Sequence, residues 1–248
     1  MKLSLVIPAY NEAEGVSQTA QKLRPVLDQL RKANDLEVVF VNDGSKDDTE
    51  ALLKQEFDAD PGVKVVSHDQ NRGLGAAIRT GFSHVNGDMI VTTDFDGTYS
   101  FDTISQLLAL MVDGVDIVTA SPYHPQGHVD GVPPYRLVFS YGASLLYRIL
   151  VKWNIYCWTA LFRAYRQPVI KTISFESNDF LAGTELLVNA LRAGYKVVEY
   201  PTTLRVRTFG QSSLKIARVT KTHLQFQFAI LKARLTGNKS GPVRRLSS

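Results

Sequence analysis

Residues 89–98 read MIVTTDFDGT, an apolar run followed at once by two aspartates that flank a phenylalanine. A short run that is apolar throughout is typical of a strand buried on both faces of a sheet. Asp94 and Asp96 then follow the carboxyl end of this strand. Because alternate residues of an extended backbone point to the same side, the two carboxylates are expected to lie side by side.

Paired carboxylates at this spacing suit a divalent metal ion. Two like charges held close together are costly unless a cation lies between them. Oxygen ligands favour Mg²⁺ or Mn²⁺, and such ions commonly bind one or two carboxylates together with substrate phosphates. The alternative is structural, because Asp96-Gly97 is also a common turn pair. The motif alone leaves both interpretations open.

Strand-like and helix-like segments alternate through the first half of the chain. Apolar residues spaced by three or four predict helices within 16–30 and 104–111, and Ser45 with Asp48 resembles a capping box. This order predicts an α/β fold with a mostly parallel sheet flanked by helices, and with ligands at the carboxyl ends of the strands. Four further strands are predicted from short runs rich in Val and Ile, at 3–7, 37–41, 63–66 and 116–119.

Two of these strand ends carry polar and aromatic residues. PAYNE at 8–12 follows the first strand, and NDGS at 42–45 follows the second. Together they would place an aromatic ring, carboxylates and amides at the edge of the sheet where ligands bind. Such groups are suited to binding a nucleotide base and a ribose. Each motif alone is also explained by helix capping, since Asn11 and Ser45 are both good N-cap residues.

The second half is predicted to be less regular. Residues 121–134 hold four prolines and predict a loop, whereas 186–191 predict a helix and 197–200 a strand. The segment 137–161 is apolar and aromatic but interrupted by basic residues, and 214–235 predict a basic amphipathic helix.

Composition excludes several classes of protein. The 248 residues are 44% hydrophobic and 21% charged, which is typical of a globular protein and not of a disordered one. A single cysteine, Cys157, rules out an internal disulfide framework. A net charge of +4 is too small for a dedicated nucleic-acid binder. No apolar run reaches about 18 residues, so no ordinary transmembrane helix is predicted, and the apolar start is interpreted as a buried strand rather than a signal peptide.

The order and spacing of several motifs resemble glycosyltransferase family 2. The resemblance covers about residues 1–220, and it implies a GT-A fold, in which a Rossmann-like sheet binds a nucleotide-sugar. Later segments, VDGVPPYR, LFRAYR, EYPTTLRVR and FGQSSLK, resemble the dolichyl-phosphate-mannose synthase branch. The motifs typical of the family are VIPAYNE, VNDGS, NRGLGAAIRTGF and TTDFDGTYS.

The resemblance implies roles on the donor side. Asp94 and Asp96 would be the catalytic pair that engages the sugar diphosphate and the metal. Thr98 would be a third metal ligand, at a position where the branch usually has Gln, and Asp43 would contact the base. The residues assigned to the nucleotide-sugar are Pro8, Tyr10, Glu12, Asp43, Asp94 and Asp96.

On the acceptor side, Arg136 and Arg207 match arginines that bind phosphate, for which the planar guanidinium is well suited. The chain departs from the branch at two positions. Pro122 stands where the branch usually has Arg, and Ser213 stands where it has Lys. Lys215 is the nearby substitute, and the identity of the acceptor is left open.

The implied activity is an inverting transfer of a hexose, mannose or glucose, from a GDP- or UDP-sugar to polyprenyl or dolichyl phosphate, with Mg²⁺ or Mn²⁺. A phosphate monoester is largely a dianion at pH 7, so it needs no strong base. A family 2 transferase acting on a sugar or lipid hydroxyl would need one, and Asp179 and Glu185 are the candidates. Glu185 is interpreted instead as a first-turn helix residue. A non-catalytic nucleotide-binding module at the membrane is a further alternative.

Because polyprenyl phosphate is held in a bilayer, the protein must reach a membrane surface. Segments 135–152 and 214–235 are predicted to be helices lying in the interface, with Phe226 and Phe228 among the apolar residues of the second. The alternative is that both helices pack on the domain. The protein is therefore expected at the cytoplasmic face of a membrane, and a separate anchor subunit is left open.

The predicted organisation is one domain over residues 1–235. Within it, 1–120 would bind the nucleotide-sugar and 121–235 would face the acceptor and the membrane. The basic tail at 236–248 is expected to be flexible.

Overall fold

A computed structural model describes residues 1–206 and 216–236. The predicted acceptor residues Arg207 and Lys215 lie outside the described residues, as do Ser213 and most of the predicted tail. The strands are β1 (Lys2–Ala9), β2 (Asp35–Asn42), β3 (Val63–Ser67), β4 (Met89–Thr92), β5 (Ile117–Ser121), β6 (His128–Asp130), β7 (Arg163–Arg166), β8 (Val197–Pro201) and β9 (Thr203–Arg205). The helices are α1 (Val16–Arg31), α2 (Thr49–Phe57), α3 (Leu74–Ser83), α4 (Thr103–Ala109), α5 (Pro134–Leu150), α6 (Gln167–Thr172), α7 (Ala182–Arg192) and α8 (Ile216–Leu235).

Seven of the strands form one mostly parallel sheet in the order β3-β2-β1-β4-β7-β5-β8, and β6 pairs separately with β9. Alternate residues of β2 enter different apolar clusters: Val38 and Phe40 pack in one, and Val39 and Val41 in another. Both faces of the strand are therefore buried, as its continuous run of apolar residues predicts. The expected α/β fold is confirmed.

Strand β7 was not predicted, and it lies antiparallel between β4 and β5 in the middle of the sheet. Its sequence, RAYR, begins and ends with an arginine. Arg163 is fully buried, and its guanidinium donates to the Thr119 hydroxyl (3.0 Å) and to the carbonyls of Trp158 (2.8 Å) and Gly183. Hydrogen bonds to these acceptors allow the charged group to be buried.

Two local predictions are wrong. Helix α2 begins at Thr49, after Asp48, so Ser45 is not its N-cap. The Ser45 hydroxyl instead accepts the backbone N–H of Asn11 (2.9 Å), and the Asn11 side chain accepts the N–H of Lys46 (2.9 Å). These two residues join the loops after β1 and β2, which is a role that local capping patterns do not reveal. The predicted loop 121–134 also contains the short strand β6.

Candidate active site

The carboxyl ends of β1, β2 and β4 form the edge at which the predicted donor residues lie. The chain runs from β1 outward through β2 and β3, and then returns to place β4 on the other side of β1. Ligands of open α/β sheets bind at such a reversal of strand order, outside the carboxyl ends. The β1–β4 boundary therefore positions the loops that follow Ala9 and Thr92 next to each other.

The Asp94–Asp96 segment is held by its central residue. Phe95 is buried, and its ring contacts that of Phe40 edge-on, with 6.3 Å between the centroids. The Thr19 hydroxyl of α1 donates to the Phe95 carbonyl (3.0 Å). With Phe95 anchored in the core, both aspartates border a cavity. Gly97 has φ +63°, which favours glycine and completes a turn, so the turn and the functional interpretation describe the same segment.

Thr98 contacts Asp96 directly. Its backbone N–H donates to Asp96 Oδ1 (3.0 Å), and its hydroxyl donates to the same oxygen. The Thr98 carbonyl accepts the N–H of Arg205 (3.0 Å), which connects this loop to β9. In this arrangement Thr98 orients the Asp96 carboxylate. The role of Thr98 as a metal ligand stays a prediction.

Asp43, predicted to contact the base, is buried and receives four hydrogen-bond partners from the loop after β3. The N–H groups of Arg72 (2.9 Å) and Gly73 (2.8 Å) and the Asn71 amide (3.0 Å) donate to its carboxylate, and His68 Nδ1 lies 2.7 Å from Oδ1. Asp43 therefore fixes the His68–Gly73 loop against the end of β2. Its contact with the base stays a prediction.

The other residues predicted to bind the nucleotide-sugar lie at the carboxyl end of β1 or just after it, as expected from the sequence. Pro8 is buried near the end of β1, and Tyr10 is half-buried immediately after the strand. Glu12 is buried, and its backbone N–H donates to the Thr49 hydroxyl (2.8 Å) at the start of α2. The structure thus brings all three to the edge that carries Asp43 and Asp94.

The cavity beside the two aspartates has a volume of about 500 Å³ and mostly apolar walls. Helices α5 and α8 provide one side of it, including Phe139, Leu146 and Leu224. Pro122, one of the two departures from the branch, also borders it. Sequence reasoning missed His223 and Gln227, which border the cavity from α8; their spacing of four residues on one face was the available signal.

Burial keeps a thiol and a phenol of the cavity wall neutral. It raises the pKa of the Cys157 thiol to about 11 and that of the Tyr123 hydroxyl to about 12. Cys157 is therefore a packed thiol and not a nucleophile at neutral pH. Glu185 lies in the first turn of α7, as predicted, and its carboxylate accepts the N–H groups of Glu176 (3.1 Å) and Ser177 (2.9 Å).

The carboxylates of Asp94 and Asp96 suit a divalent metal ion whose remaining ligands are supplied by a substrate. Within residues 1–206 and 216–236, no group of three or more His, Cys, Asp or Glu side chains could enclose an ion. Asp94 and Asp96 would supply two carboxylates, and the hydroxyl of Thr98 keeps one of them oriented. Mg²⁺ and Mn²⁺ bind in this way when substrate phosphates complete the coordination.

The chain matches the model of glycosyl transferase family 2 over residues 4–174. It is 32% identical over 217 residues to the polyprenol monophosphomannose synthase of Mycolicibacterium smegmatis, a similarity that spans 85% of this chain and 80% of that one. It is also 32% identical over 217 residues to the dolichol-phosphate mannosyltransferase of Pyrococcus furiosus, spanning 87% of this chain and 60% of the relative's length.

Among solved structures, the chain resembles glucosyl-3-phosphoglycerate synthase from Mycobacterium tuberculosis, in a complex with Mn²⁺, UDP-glucose and phosphoglyceric acid. The TM-score is 0.68 at 19% identity, over 94% of this chain and 79% of that one. This likeness concerns the fold and confirms the expected GT-A architecture. The family match covers more than half of the chain, and the chain therefore belongs to glycosyltransferase family 2.

Proposed function

We propose that this glycosyltransferase moves a hexose, mannose or glucose, from a GDP- or UDP-sugar to a polyprenyl phosphate at a membrane surface, with inversion. The observation that carries this proposal is the cavity, because Asp94 and Asp96 border the same apolar space that α5 and α8 enclose. An enzyme that transfers a sugar from a nucleoside diphosphate to a lipid needs charged groups and apolar walls in one site. The names of the two relatives, a polyprenol monophosphomannose synthase and a dolichol-phosphate mannosyltransferase, support this acceptor class.

The donor would bind across the β1–β4 boundary. Pro8, Tyr10 and Glu12 would line the pocket for the base and ribose, and Asp43, which holds the His68–Gly73 loop, would contact the base. Asp94 and Asp96 would hold Mg²⁺ or Mn²⁺, and when bound the ion neutralises charge that develops on the departing diphosphate. Complexes of the solved relative with Mn²⁺ support this choice of ion.

The acceptor phosphate would be the nucleophile. It is largely a dianion at neutral pH, so no side chain has to remove a proton from it. The chain's contribution is then alignment of the two substrates and exclusion of water by the apolar walls. A single displacement of this kind inverts the configuration at the sugar carbon. Arg136, at the start of α5, with Arg207 and Lys215 would neutralise the acceptor phosphate.

The lipid would approach along α5 and α8. None of the helices within the described residues combines the length and apolar character needed to cross a bilayer. Together the two helices nevertheless present an apolar face to solvent, which we call the α5–α8 face. Exposed basic residues of α8 accompany it, namely Arg218, Lys221, Lys232 and Arg234. The face consists of Val138, Phe139, Tyr141, Leu145, Leu146 and Ile149 from α5, and of Leu224, Phe228, Leu231 and Leu235 from α8.

A groove of about 580 Å³ lies beside the cavity and borders this face. It lies between Phe139 and the first turns of α8, and it shares Phe139, Thr220 and Leu224 with the cavity wall. An isoprenoid chain that lies in the groove would keep its phosphate end in the cavity and its tail in the lipid. Residues 1–235 would thus act as one domain at the cytoplasmic face of a membrane, with 1–120 holding the donor, 121–235 facing the acceptor, and the 236–248 tail flexible.

Transfer to a lipid or sugar hydroxyl is the second candidate, because Pro122 borders the cavity where a phosphate-binding arginine is expected. The purified chain should be incubated with radiolabelled GDP-mannose or UDP-glucose, Mg²⁺ or Mn²⁺, and either polyprenyl phosphate or polyprenol in detergent. We expect labelled lipid with the phosphate and none with the alcohol or with EDTA. Labelled lipid from the alcohol alone would favour the second candidate.

A further inference from the structure

Helices α5 and α8 enclose a small polar group of side chains in otherwise apolar surroundings. Tyr147 of α5 and His223 and Gln227 of α8 are all buried, with 0%, 4% and 4% of their surfaces exposed. His223 and Gln227 also border the cavity that carries Asp94. Buried polar side chains are costly unless they are hydrogen-bonded, so their presence in this wall requires an explanation.

A hydrogen bond to the backbone of α5 fixes the orientation of the Gln227 amide. Its Nε2 donates to the Ala143 carbonyl at 3.0 Å. Exchanging the amide nitrogen and oxygen would place two oxygens against each other, so this orientation is the favoured one. The Oε1 atom is buried and accepts no hydrogen bond from any residue in 1–206 or 216–236. Gln227 therefore carries an acceptor that needs a donor.

The Tyr147 hydroxyl is a hydrogen-bond partner of the His223 ring. The hydroxyl lies 3.0 Å from His223 Nδ1. Burial raises the pKa of Tyr147, so the hydroxyl keeps its proton, and burial lowers the pKa of His223 to about 4, so the imidazole is neutral at pH 7. With Tyr147 donating to Nδ1, the ring proton is on Nε2. His223 is then a donor one helical turn from the Gln227 acceptor.

We propose that His223 and Gln227 form a hydroxyl-binding subsite in the wall of the cavity. A hydroxyl donates one hydrogen bond and accepts others, so it satisfies both side chains at once. A phosphate dianion has no proton to donate, and its oxygens would be repelled by Gln227 Oε1. The subsite therefore selects a neutral alcohol group. The inference rests on the proposed function for its ligand, the hexose of the donor, or on the second candidate function for the terminal alcohol of an isoprenoid.

The test compares ligand pairs that differ in this group, by calorimetry on the full chain. One pair is GDP-mannose with GDP, or UDP-glucose with UDP, and the other is polyprenol with polyprenyl phosphate in detergent. Gln227→Met removes the acceptor while keeping the volume of the side chain. Gln29→Met is the control, because Gln29 is exposed on α1 and borders neither the cavity nor the groove.

We expect Gln227→Met to weaken binding of either the nucleotide-hexose or the polyprenol by about threefold to tenfold, the effect of one hydrogen bond. The other member of that pair, and every ligand of Gln29→Met, should be unaffected. A loss in the nucleotide pair assigns the subsite to the hexose, and a loss in the lipid pair assigns it to the alcohol. Equal changes within both pairs, or no change in either, would overturn the proposal.

A second variant guards against a folding defect in Gln227→Met. His223→Leu removes the imidazole donor without supplying another, and the same selective loss is expected. Because the readout is binding, it does not depend on turnover. Failure of lipid transfer would contradict the proposed function, whereas failure of the paired discrimination would contradict only the subsite.

Discussion

At the scale of single residues, the acidic groups of the site are positioned by contacts of neighbouring side chains. Phe95 is anchored in the core between Asp94 and Asp96, which both border the cavity. The backbone N–H of Thr98 donates a hydrogen bond to Asp96. The sequence predicts that Asp94 and Asp96 belong to a site, because two aspartates separated by one residue follow an apolar strand. It does not predict the acceptors that bury Arg163, since these depend on contacts between residues that are distant in the chain.

Asp96→Asn tests the role of the acidic pair. We expect hexose transfer to fall by at least about a hundredfold, because the amide is a poor metal ligand and one negative charge is lost, while the melting temperature stays the same or rises slightly as repulsion is relieved. Asp113→Asn is the control, since Asp113 is exposed on a surface turn. Activity of Asp96→Asn that equals the control at saturating Mg²⁺ and Mn²⁺ would contradict the assignment.

His223 should make stability depend on pH. Its pKa lies at about 4 in the folded protein, against 6.5 for the unperturbed group, although Asp179 opposes the shift caused by burial. Between pH 4 and pH 6.5, His223 is protonated in the unfolded chain but stays neutral in the folded chain. The free energy of unfolding therefore falls as the pH falls from 6.5 towards 4. The Tyr147 hydroxyl, the other group facing the ring, stays neutral throughout.

Urea unfolding of the wild type and of His223→Gln at pH 7.5 and 4.5 measures this effect. The wild type should lose about 2 to 3 kcal/mol more than the variant between the two pH values, because all other titrating groups are shared. The same loss in both proteins would show that His223 is not buried in its neutral form.

At the scale of elements, α5 and α8 each divide their apolar residues between the core and the surface. Phe226 and Ile230 are buried, and the Phe226 ring lies 6.3 Å from that of Tyr147, whereas Phe228 and Leu224 are 68% and 52% exposed. The prediction that Phe226 faces the membrane is therefore wrong. Sequence periodicity identified an amphipathic helix, but it could not say which apolar residues the α5 partner would cover.

Binding to anionic vesicles tests the α5–α8 face. The double variant Leu224→Asp with Phe228→Asp should bind at least about tenfold more weakly than the wild type in co-sedimentation, because each exposed apolar side chain that is lost from the interface costs about 1.5–3 kcal/mol. Its melting temperature should change little. Wild-type binding should also weaken at high salt, since basic residues of α8 contribute.

Val112→Asp is the control for this experiment, because Val112 is 59% exposed and lies outside both helices. Phe226→Asp should instead lower the melting temperature, since it places a charge in the core. Equal vesicle binding by the wild type and the double variant would contradict a membrane role for this face and favour a separate anchor subunit.

At the scale of the whole molecule, the parallel half of the sheet follows from the sequence more fully than the rest. Strands β1 to β5 are each visible as short runs rich in Val and Ile, and their carboxyl ends predict the site. Strand β7 is absent from that pattern because its antiparallel position in the sheet buries an arginine. The cavity could not be predicted either, since it exists only where α5 and α8 pack across the second half of the sheet.

The central claim is that the phosphate of a polyprenyl phosphate accepts the hexose. It is tested most directly by phosphorus NMR of the lipid product formed from a nucleotide-hexose labelled with ¹³C at C1. The account predicts that the monoester resonance of the acceptor is replaced by a phosphodiester resonance coupled to that carbon, with the anomeric configuration inverted. A labelled lipid that keeps its phosphate monoester resonance, or one that retains the configuration of the donor, would contradict it.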